Sequence, residues 1–392
     1  MSTILIKNGT LIDGSGSKRY LADILIENEK IKKIGKLDLT ADKVIDASGK
    51  IVSPGFIDTH SHSDLKVLIE PFVEPKIRQG ITTEILGQDG ISMAPLPEEY
   101  VSSWRKNLAG LDGDSDELKW DWKNTDGYLN LISKTGSGPN ELYLVPHGNI
   151  RMEAMGLEAR VATKEELEKM KEITRREMEA GVAGLSTGLI YIPCAYAETE
   201  ELIEICKVAA EYGRPLVIHQ RSEADTMLES MQEVIRIAKE SGVKIHFSHF
   251  KICGQKNWKL IEPVIALLDK CKEEGINVSY DQYPYVAGST MLGVILPPWA
   301  HAGGTDKLIE RLKDKSLREK MKEDIIKGIP GWDNFIDFAG FDGIYVTSVK
   351  TDKNQDCIGK NLTEIAEMRG KEKFDAVFDL LMEEENAVGM YD

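Results

Sequence analysis

The stretch PGFIDTHSHSD, residues 54–64, ends a short apolar run with His60 and His62, which a single serine separates. Side chains alternate between the two faces of a β-strand, so residues at positions i and i+2 point to the same side. Two neutral imidazoles on one side can bind one divalent ion such as zinc. Asp58 precedes the pair and Asp64 follows it. We therefore predict a metal site that includes His60 and His62.

Six more apolar runs follow the first, and stretches of helical character separate them. The seven runs cover residues 51–58, 81–87, 141–147, 181–191, 214–219, 243–249 and 276–283. One intervening helix is predicted to begin after Thr163, because Glu166 completes a capping box, and to end at Gly181. Strands that alternate with helices indicate a parallel sheet. We predict an α/β fold, a TIM-like (β/α)8 barrel whose eighth strand is missing from the pattern.

Two further regions accompany the predicted barrel. Residues 1–52 contain short β segments separated by turn-forming residues, which predicts a small β module, interpreted as part of a β-sandwich that a missing C-terminus would complete. Residues 53–392 would form the incomplete barrel, with an insertion at about residues 98–140. The insertion contains Trp104, Trp120 and Trp122. It is either a lid over the site or a purely structural excursion.

Composition excludes several classes of function. The net charge of -16 disfavours nucleic acid and anionic membranes as partners. The five cysteines form no C-x-x-C pair, so neither a disulfide framework nor a thiolate zinc site is indicated. The N-terminus lacks the features of a signal peptide, and no apolar run approaches the roughly 18 residues that a bilayer requires. We expect a cytoplasmic protein.

Two later apolar runs also end in histidine. His219 closes the fifth run and His249 closes the sixth. Because side chains from the C-terminal ends of barrel strands converge at one site, we predict that both join the His60 and His62 pair.

Three other histidines are less clearly placed by the pattern. His246 lies three residues before His249, so on a strand it faces the other side. His147 follows the third run and is either a metal ligand or a hydrogen-bonded core residue. His301 is not expected to bind metal.

Five ordered stretches resemble the N-acyl-D-amino-acid deacylases, or D-aminoacylases, of the amidohydrolase superfamily. They are PGFIDTHSHSD (54–64), GVAGLSTGLIYIPCAYAETEEL (181–202), IHQRSEAD (218–225), SHFK (248–251) and YDQYPYVAGSTML (280–292). The resemblance covers nearly the whole chain. It implies a metal-dependent hydrolase barrel that uses zinc to hydrolyse the amide bond of an N-acyl-D-amino acid, releasing a carboxylate and a free D-amino acid.

The resemblance also implies a division of the metal ligands. The His-x-His pair would form one subsite, and His219 and His249 would hold the more tightly bound zinc. The family's bridging ligand is typically a cysteine in an Asn-Cys-Gly turn after strand two, where this chain reads GQDG at residues 87–90. Asp89 would then bridge as a carboxylate, or it is simply a turn residue. One or two zinc ions, or another divalent metal, are compatible with this set.

Substrate-binding residues follow from the same resemblance. The family binds the amino-acid carboxylate with a lysine, a tyrosine and a serine at positions that match Lys251, Tyr283 and Ser289. Such a carboxylate favours a cation and hydroxyl donors. Arg221 is either a second cation for the substrate or one member of a nearby ion pair.

The family's general acid and base is an aspartate in a Ser-Asp-Gly or Thr-Asp-Gly turn at the end of strand eight. Neither the poorly periodic segment 299–350 nor the amphipathic run FDAVFDLLMEEENAVGMYD (374–392) predicts such a strand, and Asp392 lacks that context. We therefore interpret the sequence as C-terminally truncated. The aspartate is expected beyond Asp392, and residues 1–392 alone are expected to have negligible deacylase activity.

Two other functions are compatible with the same fold. A cyclic-amide hydrolase of the hydantoinase or dihydroorotase type would carry a carbamylated lysine on strand four, but no lysine lies between Glu172 and Lys207. An inactive metal-binding homologue, or a fragment, would keep the histidines and lack the aspartate.

Overall fold

The computed structural model describes residues 2–392 and divides the chain into two compact units. The first contains the residues up to Ile57 together with 79–82, and the second contains 58–78 and 83–392. Among the described residues, no helix is both long enough and apolar enough to cross a membrane.

The first unit is built on a five-stranded sheet. Its strands are β1 (Thr3–Leu11), β2 (Tyr20–Glu27), β3 (Lys30–Gly35), β4 (Lys43–Asp46) and β5 (Ile51–Val52). The order is β3-β2-β1-β4, and β5 also pairs with β1. Strand β1 is antiparallel to β2 and parallel to β4 and β5. Leu11, Ala22 and Ile24 form its small buried cluster, as expected for strands with one apolar face.

A second sheet contains seven strands. They are β6 (Phe56–Asp58), β7 (Ile81–Leu86), β8 (Asn140–Pro146), β9 (Gly184–Gly188), β10 (Leu216–His219), β11 (Ile245–Phe247) and β12 (Val278–Tyr280). They follow one another in sequence order across the sheet, and neighbours from β7 to β12 are parallel. Each of the seven apolar runs overlaps one strand of this sheet, and the predicted barrel fold is confirmed. Leu185, Leu216 and Phe247 are buried on it.

Helices occupy most of the connections. Those up to the last barrel strand are α1 (Lys66–Ile69), α2 (Glu74–Ile77), α3 (Val101–Leu108), α4 (Thr125–Thr135), α5 (His147–Met155), α6 (Lys164–Glu179), α7 (Thr199–Glu211), α8 (Met227–Ser241) and α9 (Ile261–Glu273). The predicted capping box of α6 is present, since the Thr163 side chain accepts from the Glu166 amide and Glu166 accepts from the Thr163 amide. Gly181, just past the helix, has a φ of 92°.

The chain after β12 folds around a second hydrophobic core. Its helices are α10 (Thr305–Lys313), α11 (Lys315–Lys327), α12 (Phe335–Phe338), α13 (Gly340–Gly343), α14 (Leu362–Arg369) and α15 (Lys373–Glu383). Its strands, β13 (Ser289–Met291), β14 (Tyr345–Val349) and β15 (Val388–Tyr391), form an antiparallel sheet in the order β13-β15-β14. The amphipathic run 374–392 is therefore helical only in its first half. Glu385 and Asn386, with φ of 51° and 69°, turn the chain into β15.

The insertion after β7 is packed into the main core. The side chains of Trp104, Trp120 and Trp122 are 1%, 8% and 4% exposed. The indole of Trp104 donates to the carbonyl of Ser92 at 2.7 Å, and that of Trp122 donates to the carbonyl of Met93 at 2.6 Å. The burial of all three indoles and the hydrogen bonds of two of them favour the structural alternative for this segment over a mobile lid.

Candidate metal centre

Four histidines and one aspartate meet beyond the carboxyl ends of the barrel strands. Each comes from a strand end or the loop that follows it: His60 and His62 after β6, Asp89 after β7, His219 at the end of β10 and His249 after β11. Parallel strands place their carboxyl ends at one edge of the sheet, which explains how residues so distant in sequence come together.

The carboxylate of Asp89 lies between the two histidine pairs. Its Oδ2 is 3.4 Å from Nε2 of His60 and 3.3 Å from Nε2 of His62, and its Oδ1 is 3.7 Å from Nε2 of His249. Burial alone would raise the pKa of Asp89, but the charge of His60 and hydrogen bonds from the surrounding imidazoles hold it well below its ordinary value. Asp89 is therefore a carboxylate anion with imidazole nitrogens close to both of its oxygens.

The second histidine pair is in direct contact. Nδ1 of His219 lies 2.9 Å from Nε2 of His249. The ligand atoms of Asp89, His219 and His249 all lie within 4.8 Å of one another, and so do those of His60, His62 and Asp89. The two groups share Asp89, so the arrangement offers two adjoining subsites with a common carboxylate.

A divalent cation fits these donors. Nε2 of His219 and Oδ1 of Asp89 are buried and have no hydrogen-bond partner among the described residues. Buried polar atoms without partners are costly, and native proteins rarely leave them so. Imidazole nitrogens with one carboxylate form a typical zinc ligand set.

The turn that carries Asp89 has an unusual backbone. Asp89 has a φ of 57°, in the left-handed region that aspartate tolerates better than most residues. Gly87 and Gly90 on either side have φ of 79° and 71°. A Cβ on Gly87 would lie 2.1 Å from the carbonyl oxygen of Leu144, and one on Gly90 would lie 2.7 Å from Sγ of Cys194. The local geometry thus requires glycine at positions 87 and 90 and is compatible with aspartate at position 89.

Glu223 is a site residue that the sequence analysis did not identify. Its side chain is 4% exposed, with Oε1 3.1 Å from Nδ1 of His249 and Oε2 2.5 Å from Nζ of Lys251. A carboxylate on the remote nitrogen of a histidine ligand fixes its ring orientation. Glu223 follows His219 by four residues in the stretch HQRSE. An acidic residue so close to a predicted metal ligand is the sequence feature that could have identified it.

Of the predicted carboxylate-binding residues, the structure brings two together. Nζ of Lys251 lies 5.7 Å from the ring centroid of Tyr283. The Ser289 hydroxyl donates to the carbonyl of Met390 at 3.0 Å. Nζ of Lys251 also lies 2.9 Å from Nδ1 of His249, so this cation lies beside the metal centre, next to both Glu223 and an aromatic ring.

Arg221 lies in an ion pair. Its Nε and Nη2 donate to the two carboxylate oxygens of Glu233, each at 2.9 Å, and Nη2 also donates to the carbonyl of Ala197 at 2.9 Å. This two-point contact uses the guanidinium as a structural clamp. Of the two alternatives for Arg221, the ion pair agrees better with the structure.

His147 lies in a buried polar network apart from the cluster. Its Nδ1 is 2.9 Å from the hydroxyl of Thr187, and its Nε2 is 2.8 Å from Oε1 of Glu201. The other oxygen of Glu201 pairs with Arg151, which is fully buried. Both imidazole nitrogens are therefore occupied, and His147 corresponds to the core alternative.

The last two histidines have partners of their own. Nε2 of His246 is 2.9 Å from Asp281, whose other carboxylate oxygen accepts from the backbone N–H of His249. Nε2 of His301 lies 3.0 Å from the carbonyl of Gly293. Neither of them belongs to the three groups of possible metal ligands among the described residues.

Asp112 is a second residue missed from sequence. It comes from the insertion, and its Oδ1 lies 3.5 Å from Nδ1 of His62. Together with Asp64 and His62 it forms the third group of possible ligand atoms within 4.8 Å of one another.

A parallel barrel sheet with histidines and a shared carboxylate beyond the carboxyl ends of its strands is typical of one class of protein, the metal-dependent hydrolase barrels. A model of the amidohydrolase family matches residues 43–269. The chain is 36% identical over 290 residues to a D-aminoacylase from Alcaligenes xylosoxydans xylosoxydans, an alignment that covers 74% of this chain and 58% of that protein. The chain thus spans a little over half the length of this curated relative.

Two solved structures are similar over 99% of the chain and 70% of their own. One is an N-acyl-D-glutamate deacylase from Bordetella bronchiseptica, complexed with zinc and a phosphonate inhibitor, at a TM-score of 0.80 and 31% identity. The other is a D-aminoacylase described by its binuclear metal centre, with one-metal activation and second-metal attenuation, at a TM-score of 0.77 and 30% identity. The chain belongs to the amidohydrolase family, and within it to the N-acyl-D-amino-acid deacylase family.

Proposed function

We propose that the protein hydrolyses the amide bond of N-acyl-D-amino acids with the help of one or two zinc ions, releasing a carboxylate and a free D-amino acid. The observation that carries the proposal is the position of Asp89 between two histidine pairs, with Oδ2 3.3 Å from His62 and Oδ1 3.7 Å from His249. Relatives with zinc or a binuclear centre, at TM-scores of 0.80 and 0.77, support it.

Each ligand has a defined part in this proposal. His219 and His249 would hold the first ion, His60 and His62 would hold a second, and Asp89 would contact both. A bound zinc ion lowers the pKa of its water and polarises an acyl carbonyl. Glu223 would orient the His249 ring through Nδ1, which lies 3.1 Å from its carboxylate.

Lys251 would bind the carboxylate of the amino acid. Its side chain is 26% exposed, so its ammonium group is partly shielded from water and can still be reached by a ligand. Glu223 at 2.5 Å and the Tyr283 ring at 5.7 Å fix its position. A charge-assisted contact of this kind, close to the metal centre, favours substrates whose carboxylate lies next to the scissile amide.

The test is a substrate panel with the protein expressed from its complete coding sequence and loaded with zinc. We expect hydrolysis of N-acetyl-D-amino acids, with kcat/KM at least about a hundredfold higher than for the L-forms, because the chain is similar to deacylases named for D-amino acids. Dihydroorotate and hydantoin are the comparison substrates. Faster turnover of either cyclic amide would replace the proposal with a cyclic-amide hydrolase, and zinc binding without turnover of any substrate would leave a metal-binding homologue.

Replacing Lys251 with methionine is expected to raise KM for N-acetyl-D-amino acids by roughly 10- to 100-fold, because a hydrogen bond to a charged group contributes about 1.5–3 kcal/mol. The measurement is steady-state kinetics. An N-acetyl alkylamine, which has no carboxylate, serves as the control substrate, and its slow hydrolysis should be the same in both proteins. A variant with unchanged KM would show that Lys251 does not bind the substrate carboxylate.

A further inference from the structure

Asp112 reaches the metal centre from the insertion and meets the far side of a predicted ligand. Its carboxylate is fully buried, and Oδ1 lies 3.5 Å from Nδ1 of His62. Nε2 of the same ring lies 3.3 Å from Oδ2 of Asp89. His62 is thus placed between two carboxylates, one on each nitrogen.

An imidazole that binds a metal through one nitrogen carries a proton on the other, and that N–H group requires an acceptor. Nδ1 of His62 and both carboxylate oxygens of Asp112 are buried and have no hydrogen-bond partner at normal range among residues 2–392. A hydrogen bond between these two groups would satisfy the His62 nitrogen and one of the Asp112 oxygens. The 3.5 Å separation is long for a hydrogen bond, and a small rotation of either side chain would close it.

The backbone around Asp112 is well anchored. Its amide donates to the carbonyl of Leu108 at 2.8 Å, at the end of α3. Trp104 within the same helix donates to the carbonyl of Ser92, two residues after the turn that carries Asp89. The insertion is therefore attached directly to the segment that forms the metal centre.

We propose that Asp112 is a positioning residue: its carboxylate accepts a hydrogen bond from the Nδ1–H group of His62, which orients the ring so that Nε2 faces the second metal subsite. The inference rests on the proposed metal-binding function. It assigns a purpose to the insertion, which delivers one carboxylate to the back of the site and anchors it with buried tryptophans.

A third ion among His62, Asp64 and Asp112 is the competing arrangement. It would require a single imidazole to bind two ions, one through each nitrogen. A neutral imidazole has one N–H donor and one nitrogen lone pair, so it is simpler for His62 to donate through Nδ1 and bind one ion through Nε2. The number of bound ions separates the two possibilities.

The experiment is a zinc titration against a chromophoric chelator, with bound zinc counted by elemental analysis, in the wild-type protein and in D112A, D112N and H62A. We expect D112A to lower the affinity for the second ion by about 10- to 100-fold and to leave the affinity for the first ion unchanged. D112N should recover part of the loss, because the amide oxygen still accepts a hydrogen bond. H62A removes the ligand itself, so it serves as the reference for complete loss of binding of the second ion.

Asp116 provides the matched control. It lies in the same insertion, its side chain is fully exposed, and it pairs with Arg105 at 2.9 Å. D116N makes the same charge change without contact to His62, and both zinc affinities should stay at the wild-type value.

Three results would overturn the proposal: unchanged affinity for the second ion in D112A, an equal loss at both subsites, or a third zinc in the wild-type protein that D112A removes. None of these readouts uses turnover. Failure of the proposed hydrolysis would appear only in the substrate panel.

Discussion

Replacing His219 with alanine is expected to remove the first metal ion and to lower amide hydrolysis by more than about a hundredfold. Even changes to groups that only support a ligand typically cost 10- to 100-fold in metal affinity or activity, and loss of a ligand itself should exceed this. His219 is 6% exposed, so no other side chain or bulk solvent can easily take its place. Zinc affinity and kcat/KM are the measurements.

His301 provides the control for His219. It is also a buried imidazole, but its Nε2 lies 3.0 Å from the carbonyl of Gly293, away from the cluster. H301Q keeps a donor for that carbonyl and should bind zinc with wild-type affinity. If H219A binds its first zinc ion as tightly as the wild-type protein does, the assignment of the first subsite to His219 and His249 is wrong.

Replacing Glu201 with alanine should destabilise the fold by about 3–5 kcal/mol, the range for breaking a buried ion pair from one side. Arg151 is fully buried and pairs with Glu201, which also accepts from His147 at 2.8 Å. Without the carboxylate, the guanidinium charge stays in the core with no anion against it. Urea denaturation of the metal-loaded protein measures the difference.

Glu200 is the matched control for this effect. Its side chain is 63% exposed and pairs with Arg236 at 2.8 Å. An exposed ion pair contributes at most about 1 kcal/mol, so E200A should be close to wild type. A double variant, R151M with E201L, should recover part of the lost stability, because the guanidinium charge is gone and only the His147 nitrogen loses its acceptor. Equal effects of E200A and E201A would contradict this account.

Local patterns in the sequence predicted the parallel sheet and the convergence of four histidines at one edge of it. Each barrel strand is a short apolar run, and three of these runs lead directly into the predicted metal ligands. His219 ends β10 itself, and His60 and His249 each follow the last strand residue by two positions. The parallel fold then fixes which ends converge, so no long-range information was needed.

Asp112 illustrates why the rest of the site could not be predicted in the same way. It lies in the segment LDGDSD, where Asp112, Asp114 and Asp116 look equivalent in sequence. In the structure Asp112 is buried against His62, whereas Asp114 and Asp116 pair with Arg105 nearer the surface. Which of the three carboxylates turns inward is a property of tertiary packing, and a local stretch of sequence does not contain it.

The end of the chain was predicted only in part for a related reason. Residues 374–392 have an apolar spacing that suits a helix, and α15 follows it to Glu383. Strand β15 then forms because β13 and β14 supply partners on both of its edges. Pairing with strands that are 40 to 100 residues away has no signature in a local window.

The turn at residues 87–90 also has a consequence for how this protein can change. Gly87 and Gly90 have no room for a Cβ, and Asp89 adopts a left-handed backbone that excludes β-branched side chains. Viable replacements at position 89 are thereby limited to a few compact residues that tolerate this conformation. A deep mutational scan should show low tolerance at positions 87, 89 and 90, so libraries that aim to alter metal preference can be small and confined to residue 89.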